Sequence, residues 1–194
     1  MLTLLQGKIL CEFARDSIIS SFLRKSPEFD KVKEFSANQG VFITLHKNGE
    51  LRGCIGYPEP VLPLNKAIMQ AARAAAFEDP RFNPVSKEEL DEIIIEISVL
   101  TVPQLIEVTM PIEYPKKIEI GIDGLIIRKA FYSGLLLPQV FTEYNSTTVE
   151  ALNMTCQKAG LAQNAWKDKS CNIYKFQAQI FCEESPHGKV VEKK

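Results

Sequence analysis

The stretch Val41-Phe42-Ile43-Thr44-Leu45-His46-Lys47-Asn48-Gly49-Glu50-Leu51-Arg52-Gly53-Cys54-Ile55 reads as a β-hairpin and decides the class of the fold. Val41 to Leu45 is apolar and β-branched, Asn48-Gly49 is a turn dipeptide, and Leu51 to Ile55 is the returning strand. Side chains two apart on a strand share a face, so Arg52 and Cys54 are expected to project together. Leu51 and Ile55 then face the core. Gly53 and Gly56 carry no Cβ and leave space for a closely approaching group. His46 lies near this pair across the turn.

Reading outward, Leu2, Leu5, Ile9 and Phe13 recur at helical spacing on a first helix that ends before Ser26-Pro27. Pro63 opens a second helix with Leu64, Ala67, Ile68, Ala71 and Ala75 on its buried face. Its run Ala71-Ala72-Arg73-Ala74-Ala75-Ala76 is thin enough to pack close against a sheet, and Pro80 and Pro84 end it. Ser86 and Glu89 have capping-box spacing. Ile93, Ile95, Ile97 and Val99 alternate as the apolar face of a strand. Asp123-Gly124, between Ile118–Ile122 and Leu125–Arg128, is a second hairpin signal. Leu135 to Val140 reads as a buried strand reaching a turn at Pro138. A helix near Thr147 to Lys158 stops at Gly160, and Tyr174 to Cys182 alternates as a final strand. The polar tail from Pro186 to Lys194 is expected to be disordered. These signals give an α+β chain with mostly antiparallel strands flanked by helices.

A thiol beside a fixed positive charge loses its proton more readily and becomes a nucleophile, which makes Cys54 the leading chemical candidate. The alternative is that Cys54 packs as a small hydrophobe. Arg52 is placed either to activate the thiolate and hold an anion as a two-pronged donor, or to pair with a carboxylate such as Glu59 or Asp79. His46 is the available base, or else a solvated turn residue. In Glu78-Asp79-Pro80-Arg81-Phe82 the simplest reading is that Asp79 and Arg81 lock the turn after the helix while Phe82 anchors it in the core. Arg81 lining a binding site is the alternative. Gln139 has no apolar reason for its place, so its amide serves a ligand or a loop backbone.

The chain has 194 residues, 45% of them hydrophobic and 24% charged, with a net charge of −1. That is the composition of an ordinary globular protein, and it offers no general attraction to nucleic acid or an anionic membrane. Basic residues are dispersed without an aromatic stripe. The five cysteines are an odd number with no Cys-x-x-Cys pair, which suits reduced thiols in the cytoplasm. Lys8, Glu12, Arg15 and Asp16 interrupt the apolar N-terminus, and no cationic segment precedes it, so no signal peptide is expected. Two histidines and scattered cysteines show no metal-ligand spacing, and no phosphate-loop motif occurs, so neither metal nor cofactor is expected.

Leu51-Arg52-Gly53-Cys54-Ile55-Gly56 resembles the hallmark hexapeptide of the AMMECR family. Gly40-Val41-Phe42-Ile43-Thr44-Leu45, Ala76-Phe77-Glu78-Asp79-Pro80-Arg81-Phe82, Gly134-Leu135-Leu136-Leu137-Pro138-Gln139-Val140 and Lys158-Ala159-Gly160-Leu161 resemble further family blocks in the same order. After the Pro-Gln-Val block, where relatives often carry tryptophans, this chain reads Phe141-Thr142-Glu143-Tyr144-Asn145-Ser146. The resemblance implies an α+β domain over residues 1–185, built of two interleaved subdomains with a cleft between them. It implies no settled reaction. Two expectations follow. One is an enzyme that works on a small anionic or carbonyl substrate through Cys54, with Arg52, His46, Gly53, Gly56, Gln139 and Arg81 around it. The other is a non-catalytic protein that binds a Memo-type or radical-SAM-type partner through the Arg-Gly-Cys strand.

Overall fold

The computed structural model describes residues 1–193. In chain order it holds α1 (Leu4–Phe22), β1 (Val41–Lys47), β2 (Glu50–Tyr57), α2 (Leu64–Phe77), β3 (Ile93–Leu100), β4 (Gln104–Leu105), β5 (Asp123–Lys129), β6 (Tyr132–Leu136), α3 (Pro138–Glu143), α4 (Thr148–Lys158), β7 (Asn172–Glu183) and β8 (Val190–Lys193). The fold is α+β. It divides into two compact units: residues 1–100 with 179–193, and residues 101–178.

In the first unit the antiparallel order is β2-β1-β3, so β2 is an edge strand. Asn48-Gly49 makes the tight turn, with φ of 54° and 81° that suit these two residue types. Val41, Ile43 and Leu45 on β1, with Ile93, Ile95 and Ile97 on β3, bury one face against α1 and α2. α1 begins in a capping box in which Thr3 and Gln6 satisfy each other's amides. A buried ion pair ties it down: Arg15 donates from Nε to Glu183 at 3.0 Å and from Nη2 to the Ile93 carbonyl at 2.6 Å. Glu183 also accepts the Ile95 amide at 2.8 Å, so neither buried charge lacks partners.

The second unit has the order β7-β5-β6, with the short β4 also on β7. Phe141, Leu152, Trp166, Ile173, Leu125 and Ile127 form its core. α4 opens in a second capping box, Thr147 with Glu150, and Gly160 at φ 75° follows its end.

Three expectations are corrected here. Asp123-Gly124 is not a turn: it begins β5, and residues 118–122 form no strand. Asp123 is buried, accepting the Glu119 amide at 3.0 Å and Lys175 Nζ at 3.1 Å, while a Cβ on Gly124 would lie 2.4 Å from the Phe176 ring. The hairpin turn comes later, at Ala130-Phe131, where Lys129 pairs with Tyr132. The tail is not disordered through its described part either. Residues 190–193 form β8, which pairs with Ile180 to Glu183 of β7 and buries Val190. Lys194 lies outside the described residues. Finally, Pro138 does not end a strand in a turn but opens α3.

Candidate active site

The register of the β1–β2 hairpin slips after Leu45. Leu45 pairs with Gly53 and His46 with Leu51, which leaves Arg52 as an extra, bulged residue. The simple alternation expected from sequence therefore breaks at Arg52. Leu51 sits opposite His46 and is exposed, not turned inward, whereas Ile55 packs on the core as expected.

Past the bulge, Cys54 pairs with Thr44, and its Sγ accepts a hydrogen bond from the Thr44 hydroxyl at 3.4 Å. The backbone of Cys54 faces the open side of the edge strand, and two side chains close it. The Asp79 carboxylate accepts the Cys54 amide at 2.9 Å, and Arg81 Nη2 donates to the Cys54 carbonyl at 3.3 Å. Arg81 also grips Asp79 through Nε at 2.9 Å and Nη2 at 2.7 Å. The Arg81 guanidinium and the two backbone amides hold the buried Asp79 carboxyl below the ordinary carboxylate range, and Asp79 in turn raises Arg81. The locked turn after α2 is thus real, and it also caps the strand that carries the thiol.

Arg52 is committed to a carboxylate and not to the thiol, while its Nη1 is buried without a hydrogen-bond partner among the described residues. Its Nε and Nη2 hold both oxygens of Glu89, at 2.8 and 3.0 Å, in a partly buried two-pronged ion pair. Glu89 is pushed down to about 2, first by this bond to Arg52. The carboxylate that holds Arg52 comes from the Ser86–Glu89 capping segment, where the expectation was Glu59 or Asp79. The Arg52 and Arg81 guanidiniums lie over one ring, that of Phe82, at 5.8 and 5.4 Å from its centroid. Phe82 is half-buried under these two cations and does not anchor the core.

The glycines are corrected too. A Cβ on Gly53 would lie 2.2 Å from the Ala75 carbonyl of α2, and one on Gly56 would lie 2.3 Å from the Val41 carbonyl and 2.5 Å from the Phe42 ring. The space at both positions is filled by the protein, so neither leaves room for a substrate. His46 extends from β1 with Nε2 at 4.0 Å from Glu96; that nitrogen has no hydrogen-bond partner among the described residues, so it does not serve the thiol as a bonded base. Gln139 belongs to the other unit, at the start of α3, where its Oε1 is buried without a hydrogen-bond partner.

Cys54 differs from the other thiols. Cys11, Cys156, Cys171 and Cys182 are buried, whereas Cys54 is only partly so. Burial raises Cys11, Cys156 and Cys182, and lifts Cys171 to about 11. Among the described residues no group of three or more His, Cys, Asp or Glu side chains is placed to hold a metal ion. No helix there is long and apolar enough to cross a membrane. Sequence reasoning missed Thr44 and Glu89. The Ser86–Glu89 spacing was the available signal for the second, though it pointed to a helix cap and not to Arg52.

Fold and site together define an α+β protein with one partly exposed thiol on a capped, bulged edge strand. The chain belongs to the AMMECR1 family, whose model matches residues 11–181. It is 48% identical to Protein MJ0810 of Methanocaldococcus jannaschii over 197 residues, covering 100% of this chain and 98% of that one. It is 47% identical to Protein PYRAB00100 of Pyrococcus abyssi, covering 96% of this chain and 95% of the relative. The crystal structure of uncharacterized protein PH0010 from Pyrococcus horikoshii has the same fold, with a TM-score of 0.87, 45% identity and 96% of each chain covered.

Proposed function

We propose that this protein acts in the cytoplasm on a small anionic or carbonyl substrate through the Cys54 thiol. The observation that carries this reading is that Cys54 alone among the five cysteines is not buried. Its sulfur receives a hydroxyl hydrogen bond from Thr44, and its backbone is fixed on both sides by Asp79 and Arg81. Arg81, paired with Asp79 but half-exposed, is the cation available to an anionic group beside the thiol, a role expected first of Arg52. In the simplest step the sulfur adds to a carbonyl carbon, forming the C–S bond. The carbonyl oxygen takes the proton that the thiol loses. Brief alkylation of the native protein with iodoacetamide, followed by peptide mapping, tests the reading. Cys54 is expected to be labelled well before the other four cysteines. Labelling of Cys54 only after denaturation would overturn it.

The second reading is a non-catalytic protein that binds a Memo-type or radical-SAM-type partner through the same strand. It is favoured by the orphaned His46 Nε2, since a catalytic thiol ordinarily has a bonded base. A stable complex with such a partner that Cys54→Ser leaves intact would support it.

A further inference from the structure

An edge strand offers unpaired amides and carbonyls to any other strand, and proteins ordinarily blunt it with charge, proline, a bulge or a cover. β6, Tyr132-Ser133-Gly134-Leu135-Leu136, ends the order β7-β5-β6 and has none of the first three devices. It contains no charged residue and no proline, and its register with β5 runs without a slip from Lys129↔Tyr132 to Leu125↔Leu136. α4 packs on its face, where a Cβ on Gly134 would lie 2.4 Å from the Ala159 amide nitrogen, but no backbone group of β6 bonds outside the β5 ladder among the described residues.

The turn fixes which groups point outward. With a two-residue loop at Ala130-Phe131, the closing pair Lys129↔Tyr132 exchanges hydrogen bonds, so Gly134 and Leu136 also face β5. Ser133 and Leu135 therefore direct their N–H and C=O to the open side. These groups are symmetric about Gly134.

The geometry points to a second copy of this chain as the occupant, paired antiparallel along β6 about a two-fold axis at Gly134. In that register Ser133 exchanges both bonds with Leu135 of the other copy, and Leu135 with its Ser133. Gly134 meets Gly134 as the close, non-bonded pair, with the Ala159 end of α4 packed on that face of each copy. Tyr132 falls opposite Leu136, an aromatic–aliphatic pair of the kind that stabilises sheets. Phe131, 103% exposed at the hairpin tip, falls opposite Leu137 of the other copy and gains a neighbour. No charges meet across the axis. The strand is short, so the association is expected to be weak and concentration-dependent.

Sedimentation equilibrium of the whole chain, from about 10 µM to about 1 mM, tests this. The weight-average mass should rise from 21.8 kDa toward twice that value. Leu135→Pro removes an outward amide and leaves the β5 ladder intact, a setting in which an edge strand accepts proline. Ser133→Lys brings like charges together near the axis. Both variants should stay monomeric at concentrations where the parent is dimeric, with unchanged circular dichroism. If Leu135→Pro misfolds, Ser133→Lys alone decides. A parent that remains monomeric to about 1 mM overturns the proposal and leaves this edge to an extended segment of another protein. A dimer, or a larger assembly, that both folded variants retain also overturns it.

Discussion

The two edge strands, β2 in the first unit and β6 in the second, solve the same physical problem in opposite ways. β2 is bulged at Arg52, carries Glu50 and Arg52, and has the outward amide and carbonyl of Cys54 closed by Asp79 and Arg81. β6 is regular, uncharged and open. A cover built from an ion-paired loop is rigid, and it holds the thiol that it brackets in one position. An open edge costs aggregation risk, and a chain keeps it without penalty only when something pairs with it. The difference suggests that β2 is shaped to present a side chain, and β6 to present its backbone.

The packing under β2 gives the largest expected effect. Gly53→Val would drive a branched side chain into the Ala75 carbonyl, and backbone on both sides must shift, so the cost should reach the upper end of about 1–3 kcal/mol. Urea denaturation reads it directly. Near-parental stability would mean that α2 can retreat from the strand, and that the cap and the helix do not fix Cys54 between them.

The cap also makes this edge sensitive to acid. Asp79 and Glu89 both have folded pKa values below their ordinary ones, so each contributes stability that is present above the ordinary carboxylate pKa and lost as pH falls through the folded value. For Glu89 the window runs from about 4.5 down to about 2. Thermal melts of Glu89→Gln across that window should show a shallower loss than the parent. At neutral pH the variant should be less stable by on the order of 1–2 kcal/mol, because Arg52 keeps only a neutral acceptor. Parallel curves for the two proteins would show that the Arg52–Glu89 pair contributes nothing net. β6 has no carboxylate, so its pairing should not follow this profile.

The two hairpins also show what could be read from the chain and what could not. Asn48-Gly49 announced its turn because both residues tolerate positive φ, and the structure puts them at 54° and 81°. β3 was legible because Ile93, Ile95 and Ile97 alternate against a buried face. Asp123-Gly124 misled because the same dipeptide serves a different need. The glycine there admits the Phe176 ring, and the aspartate holds Lys175, neither of which local sequence encodes. The bulge at Arg52 was hidden for a similar reason. An extra residue in a strand leaves the apolar pattern of its neighbours nearly unchanged, and only the pairing with β1 exposes it. Cys54 and the Asp79–Arg81 turn were legible as residues, but their bond across 25 positions was not. β8 escaped notice because a four-residue strand in a polar tail has no periodicity to show.

The smallest effect concerns the turn that ends the open edge. Ala130 adopts φ 51°, a left-handed conformation in which its Cβ crowds the following carbonyl at about 1–2 kcal/mol. Glycine removes that strain, yet it also gives the unfolded chain more freedom, which opposes the gain by about 0.4–1 kcal/mol. Ala130→Gly should therefore stabilise the protein by about 1 kcal/mol or less, seen as a higher urea midpoint with an unchanged slope. The side chain at 130 lies outside the Tyr132–Leu136 strand, so the variant should self-associate as the parent does. A gain in stability with unaltered association separates the turn from the edge it closes. Loss of stability would mean that Ala130 makes contacts worth more than the strain, and a change in association would mean that the tip, and not the Ser133 and Leu135 backbone, governs pairing.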